Sequence, residues 1–271
     1  MRIRDLKARI IDTSTGAQSI EVIVNGRYRG SAPVGLSLSK KAVSSFPNSG
    51  ISLSFVNVTL KRALSGFLFS EFDDLHVIEE TLFDFDTSEK LEKIGGNVMT
   101  ALEYALLRAG AGNESVWRFL NPHADEMPIF IGECIAGGKH FSHGTDFQEF
   151  LIIPHTDSFH DGAYINHYVY QQIDTYLRPF HRASSGSWMS DLDTLEILDV
   201  LSTIKHEVLG KFGVAIGLGV DVAGSHFYSG GYYFYRKGKL DRESQIKYIN
   251  KLISRYELEY VEDPLEENDA D

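Results

Sequence analysis

The feature that most constrains this chain is a pattern in its second half, where unbroken apolar runs alternate with amphipathic helical stretches. Val214-Ala215-Ile216-Gly217-Leu218-Gly219-Val220 is apolar throughout and ends in Asp221. Leu258-Glu259-Tyr260-Val261 follows a helical stretch over 242–256 and ends in Glu262-Asp263-Pro264. Upstream, Pro128–Ile131 and Phe150–Pro154 read as short buried strands, and helices are expected over about 158–178 and 191–210. Leu192, Leu195, Leu198, Leu201 and Ile204 form the inward stripe of the second helix. Strands apolar on both faces need cover on both faces, and helices returning between them give parallel strands. The expectation from residues alone is a β/α unit from about 123 to 271.

The first half reads differently. Residues 2–11 and Ile20–Val24 are strand-like, and Asn25-Gly26 between them and Tyr28 is a hairpin signal, because both residues tolerate positive φ. A loop rich in Ser, Gly and Pro covers 31–39. Residues 52–120 look mainly helical, with Phe55, Leu60 and Leu64 on one helix. The acidic stretch 71–90 is expected as a solvated face or helix ends. Gly95-Gly96-Asn97 opens the clearest helix, whose apolar positions Ala101, Leu102, Ala105, Leu106 and Ala109 recur at helical spacing, with Gly110 closing it. A short helix over 113–120 carries Trp117. This gives an α+β domain over 1–122.

Composition limits the partners. Basic residues number 26 and acidic ones 38, for a formal net charge of −12. Such a chain repels phosphate backbones and anionic lipid, so nucleic-acid and membrane partners are not expected. Cys134 is the only cysteine, so no internal disulfide forms. The opening MRIRDLKARIID has no apolar signal core, and no apolar run reaches the length of about 18 residues that spans a bilayer. These features fit a cytoplasmic protein.

Asp221 and Glu262 stand first among residues that carry chemistry. Carboxylates at the ends of neighbouring strands suit a hard cation on a rigid support, and a strand-end carboxylate also caps a following turn or helix. Gly137-Gly138-Lys139-His140-Phe141-Ser142-His143 is a glycine-rich loop with histidines, suited to an anionic ligand or to plain solvation. Gln148-Glu149 heads the strand 150–153. Glu149 there suits acid–base work if its neighbours raise its pKa, and a salt bridge inside the sheet is the plainer reading. The remaining histidines show no metal-binding spacing, and Gly217 with Gly219 is a lone GxG without a dinucleotide fingerprint.

Taken in order, these pieces resemble the enolase (phosphopyruvate hydratase) family. Ala8–Asp12 followed by Ile20-Glu21-Val22 is similar to the family's opening hairpin, and Pro33-Val34-Gly35-Leu36-Ser37 to its Ser-Gly-Ala-Ser loop. Gly95-Gly96-Asn97 resembles the Gly-Ala-Asn helix start. Gly137-Gly138-Lys139-His140 and Gln148-Glu149-Phe150 resemble the Gly-Gly-Ser-His and Gln-Glu-Phe signatures. Asp221–Tyr228 and Val261-Glu262-Asp263-Pro264 resemble the two metal motifs.

The resemblance implies an α+β N-terminal domain followed by a partial enolase-type β/α (TIM-like) barrel, with one early strand reversed. It implies Mg²⁺-dependent, reversible dehydration of 2-phosphoglycerate to phosphoenolpyruvate, a glycolytic lyase reaction. By position, Asp221 and Glu262 correspond to ligands of the first metal, and Ser37 to the loop ligand of the second. His140, Gln148 and Glu149 correspond to substrate-site residues, with His140 and Glu149 catalytic and Glu149 near the leaving hydroxyl.

Three departures stand beside these matches. The family's third metal carboxylate, catalytic lysine and later substrate residues would lie beyond Asp271. Ala183-Ser184-Ser185-Gly186 aligns with the family's Gly-Asp-Glu-Gly, so Ser185 stands at the position of the glutamate that helps the hydroxyl leave, where a serine is far too weak an acid. His226 replaces a usual glutamate, and Thr13–Gln18 departs from the usual turn by one residue.

The isolated chain is therefore expected to be inactive. Three readings stand open: half of a split enzyme completed by a separate C-terminal half-barrel polypeptide, a catalytically inactive binding or structural subunit, or an incomplete copy of a longer chain. A half-barrel's unpaired strand edges also lead to an expectation of self-association.

Overall fold

The computed structural model describes residues 1–14, 16–35, 42–138, 144–177, 181–183 and 185–269. The chain divides into two compact units, Met1–Asp125 and Glu126–Asp271.

In the first unit, β1 (Leu6–Asp12), β2 (Gln18–Val24) and β3 (Tyr28–Ser31) form an antiparallel sheet in that order. Asn25 and Gly26 take positive φ at the turn into β3, as the Asn-Gly pair predicts. α1 (Ser49–Ser54) continues through a π-helical stretch, Phe55–Leu60, into α2 (Lys61–Ala63), so Phe55, Leu60 and Leu64 do share one buried side. α3 (Asp74–Phe85) and α4 (Gly96–Ala111) follow, then the short α5 (Val116–Leu120).

The apolar stripe of α4 is buried as its spacing requires, against Ile20, Val22 and Val24 of the sheet. Gly30 makes this approach feasible: a Cβ there would lie 2.1 Å from the Ala101 carbonyl oxygen and 2.5 Å from the Ala105 nitrogen. Gly110 lies within α4 rather than ending it. The left-handed turn that stops the helix falls at Gly112, at φ 63°.

The acidic stretch is not wholly solvated either. Asp86 is fully buried, because its carboxylate accepts the backbone N–H groups of Ser88, Lys93 and Ile94.

In the second unit the first strand is β4 (Gly132–Ala136), not Pro128–Ile131. The apolar run 127–131 forms no strand, and Met127, Ile129 and Ile131 are exposed. Apolar character misplaced this strand, because β4 is selected by pairing with β5 (Glu149–Pro154) rather than by its own hydrophobicity.

α6 (Phe159–Leu177), the two-residue strands β6 (His181–Arg182) and β7 (Trp188–Met189), and α7 (Thr194–Phe212) come next. β8 (Ile216–Asp221) leads through a small three-stranded sheet to α8 (Arg242–Tyr256) and β12 (Leu258–Glu262). The small sheet consists of β9 (Tyr228–Ser229), β10 (Tyr232–Tyr235) and β11 (Gly238–Asp241). A full capping box, Asp193 with Glu196, starts α7, and Gly213 in the left-handed region stops it.

The main sheet has six strands in the order β12-β8-β5-β4-β7-β6. β12 runs parallel to β8, and β4 parallel to β7. β5 runs antiparallel to both β4 and β8, which corrects the all-parallel expectation drawn from apolar runs. Periodicity reports which residues are buried and carries no strand direction; only the reversed strand that the family resemblance implies does so here. One face of this sheet packs on α6, α7 and α8 through Phe150, Ile152, Leu218, Val220, Val169, Leu201, Ile204 and Leu252. Each such aliphatic side chain contributes about 1.5–3 kcal/mol by leaving water.

Candidate active site

The reversed direction of β5 builds the site. The first residue of an antiparallel strand lies on the same rim as the last residues of its neighbours. In register, Glu149 of β5 is opposite Asp221 of β8, and Asp221 is opposite Glu262 of β12. Three carboxylates thus form one row across adjacent strands spaced about 4.8 Å apart. Residues in register share a face, so all three point away from the helix-covered core. Glu133 of β4, in register with Leu151, joins that face through the irregularity between Glu133 and Ile135. Gly219 lines the same face between Leu151 and Tyr260, where a Cβ would lie 3.0 Å from the Tyr260 Cβ.

Like charges directly opposite one another repel. Burial, and then Glu133, Asp221 and Glu262, push the Glu149 carboxyl up to about 7. Burial also raises Asp221, to about 6; the Ala223 N–H opposes this at 2.9 Å, and Glu262, Asp263 and Glu133 add to it. No salt bridge involves Glu149 among the described residues, which therefore give the plainer reading of an internal ion pair no support. Asp221 does cap the turn after its strand through that Ala223 contact. Glu262 is exposed and accepts the Tyr260 hydroxyl at 3.0 Å.

Ser185 is exposed, and its hydroxyl donates to Glu133 Oε1 at 3.1 Å. Gln148 lines a cavity of about 120 Å³ with Gly138, Ala223, His226 and Arg236. Among the described residues its Oε1 is buried without a hydrogen-bond partner. A buried acceptor left unpaired costs free energy until a donor reaches it, which is a property of ligand sites.

The model of the enolase C-terminal TIM barrel domain matches residues 124–271. The whole chain is also similar to complete relatives. It is 32% identical to the enolase of Thermoplasma acidophilum over 282 residues, covering 99% of this chain and 70% of that protein. This chain belongs to the enolase family. The enolases of Picrophilus torridus (30% identity, 99% of this chain, 70% of that protein) and Pyrobaculum aerophilum (31%, 99% and 69%) match along the same extent.

For an enolase-family chain, the predicted site residues fall into two groups. Glu149, Asp221 and Glu262 are brought into one row, with Gln148 beside it. Ser37 and His140 lie outside the described residues. Glu133 was missed from sequence. It lies in Gly132-Glu133-Cys134-Ile135-Ala136, a segment hidden once Pro128–Ile131 is taken as the strand. Its signal was position, four residues before the Gly137-Gly138 pair.

Asp221 and Glu262 offer the oxygen donors that a hard cation such as Mg²⁺ takes, and their mutual repulsion is what a cation would relieve. In number they fall short: among the described residues, no three His, Cys, Asp or Glu side chains are placed to hold a metal ion. No helix among the described residues is long and apolar enough to cross a membrane.

Proposed function

We propose that this chain carries the carboxylate half of an enolase-type lyase site, for the reversible dehydration of 2-phosphoglycerate to phosphoenolpyruvate in glycolysis. The observation that carries the reading is the row Glu149–Asp221–Glu262, three carboxylates on one rim with two of them held well above their ordinary pKa. Carboxyls raised toward neutrality exchange protons at neutral pH, which acid–base work at a C–H or C–O bond requires.

Asp221 and Glu262 are the residues that would hold Mg²⁺, whose charge opposes the negative charge that builds up on the substrate carboxylate. Gln148 offers its Oε1, unpaired among the described residues, to a donor on the ligand. Glu149 holds or releases a proton at its carboxyl near pH 7. By resemblance, Ser37 and His140 complete the metal and substrate contacts.

The reaction also needs a base for the α-proton and a third carboxylate, and no position in these 271 residues matches the family's groups for either role. In this reading both come from residues other than these 271, whether of a second polypeptide or of the same chain, and these 271 residues by themselves are inactive. A native mass determination from the source cells with Mg²⁺ present, followed by an assay of 2-phosphoglycerate dehydration, tests the reading. A complex that turns over substrate supports it. A complex or homo-oligomer that neither binds nor converts 2-phosphoglycerate overturns it.

A second reading, a catalytically inactive binding or structural subunit, is favoured by Ser185 at the acid position and by His226 where the family usually has glutamate.

A further inference from the structure

We propose that Glu133 is the residue that recognises the C3 hydroxyl of the substrate, with Ser185 holding its carboxylate in position. The proposal rests on the dehydration reading above and adds a specificity-determining residue to that site.

The argument begins with place. Glu133 reaches the open face of the sheet from β4, the strand next to Glu149, and it sits one step further along the sheet than the carboxylate row. It lies on β4, two strands from β8, which carries Asp221 of the Asp221–Glu262 pair that offers oxygens to a cation. Of the carboxylates on this face, Glu133 is the one that accepts a hydrogen bond from Ser185 among the described residues.

The second step is the hydrogen bond between them. Ser185 stands where a carboxyl would be expected to meet the leaving hydroxyl, and its own hydroxyl is far too weak an acid for that work. Yet Ser185 Oγ donates to Glu133 Oε1 at 3.1 Å. A carboxylate is therefore delivered to the same place from the neighbouring strand. Ser185 is itself fixed by Ser187, at 3.2 Å between the two hydroxyl oxygens.

The third step is what Glu133 lacks. It makes no ion pair with a basic side chain among the described residues, and Ser185 contacts only one of its two oxygens. A carboxylate in this setting takes a further donor, and an alcohol O–H is well matched to it. A purely structural Glu133 would tie the turn to β4 and leave ligand preference unchanged, so ligand preference decides between the two roles.

The test is calorimetric titration of the protein, purified with any partner it retains, in Mg²⁺. Two ligands are compared: 2-phosphoglycerate and the same molecule without its C3 hydroxyl, 2-phospholactate. The wild type is expected to prefer the hydroxylated ligand by tenfold or more, the scale of one charge-assisted hydrogen bond. Glu133→Gln is expected to reduce that ratio to about threefold or less. Its lost charge shifts affinity for both anions together, so it cancels in the ratio. Ser185→Ala is expected to lower the ratio by a smaller factor.

A ratio unchanged in Glu133→Gln overturns the proposal and leaves the dehydration reading intact, as does a wild type that binds both ligands equally. A wild type that binds neither overturns both. If Glu133→Gln does not fold, Glu133→Asp carries the same test. It keeps the charge, shortens the reach, and should still lower the ratio.

Discussion

Asp86 in the first unit and Glu149 in the second are both carboxylates withdrawn from water, and they are treated in opposite ways. Asp86 is fully buried, and burial alone would raise its pKa. Hydrogen bonds from the Ser88 hydroxyl and from the Ile94, Lys93 and Ser88 N–H groups outweigh that and hold it below its ordinary value. Glu149 is less buried and has no hydrogen-bond donor among the described residues. It faces three more carboxylates, and its pKa rises to about 7. Burial does not separate the two; the supply of donors does. A carboxylate surrounded by backbone N–H groups is a structural acceptor. One left among like charges keeps its bonding capacity for something else.

Raised pKa is not sufficient evidence of a site. Glu103 of α4 is also pushed up to about 7, by burial and by the neighbouring Glu79. That pair lies on two helices, α3 and α4, and Glu79 is the one carboxylate that raises Glu103. Convergence of several carboxylates on one rim distinguishes the second unit.

The contrast is broken most directly at Asp86. Replacement by Ala leaves buried N–H groups unpaired and should destabilise the first unit by about 3 kcal/mol, read by urea unfolding. Asp86→Asn keeps an acceptor and should cost less. Because its folded pKa lies below the ordinary 3.8, the stability Asp86 contributes is present above that pH and lost as pH falls through the lower folded value. An Asp86→Ala protein as stable as the wild type at pH 7 would remove the contrast.

The opposite sign is expected at Glu149. Its folded pKa is raised from 4.5 to about 7, so ionising it costs the folded state stability that is intact below pH 4.5 and lost as pH rises through 7. Glu149→Gln should therefore stabilise the protein by about 2 kcal/mol at pH 8 and by nothing measurable near pH 4.5. Thermal unfolding at the two pH values checks this, and destabilisation at pH 8 would contradict it.

Asp193 sharpens the rule from within the second unit. It caps α7 through the Leu195 and Glu196 N–H groups and pairs with Lys237 at 2.6 Å, so its pKa is lowered. Asp193→Ala should cost about 1 kcal/mol, the ordinary worth of an N-cap. Lys237→Ala should cost less than Asp193→Ala, since the lysine is largely exposed and its pairing is screened by water.

The smallest effect concerns the cation. At pH 8, Mg²⁺ near its dissociation constant should add about 0.4 kcal/mol of stability, seen as a small rise in Tm. That rise should shrink below pH 6 as Asp221 takes up a proton, and it should vanish in Asp221→Asn.

Much of this molecule was legible along the chain. α8 occupies the expected span 242–256, and the apolar stripes of α4 and α7 are buried. The carboxylates at 221 and 262 were visible as strand ends. Other features were not legible, for identifiable reasons. Asp86 lies in an acidic stretch that reads as solvated, because its donors come from residues two to eight positions further on, in a loop without periodicity. β4 was displaced by the more hydrophobic Pro128–Ile131, because strand selection depends on a partner that local composition does not name. Glu133 was lost with it.

The sequence by itself determined the buried stripes of α4 and α7 and most of the helical segments, because helical spacing is written locally. It also placed Asp221 and Glu262 at the ends of strands. The family resemblance implied one reversed early strand; only the tertiary structure decided that it is β5, and hence that Glu149 meets Asp221 rather than lying at the far rim. It alone decided that Asp86 is supplied with donors and that Glu133 touches Ser185. Strand direction and register are properties of pairs, and a pair's energy depends on both members at once, so neither segment alone carries the answer.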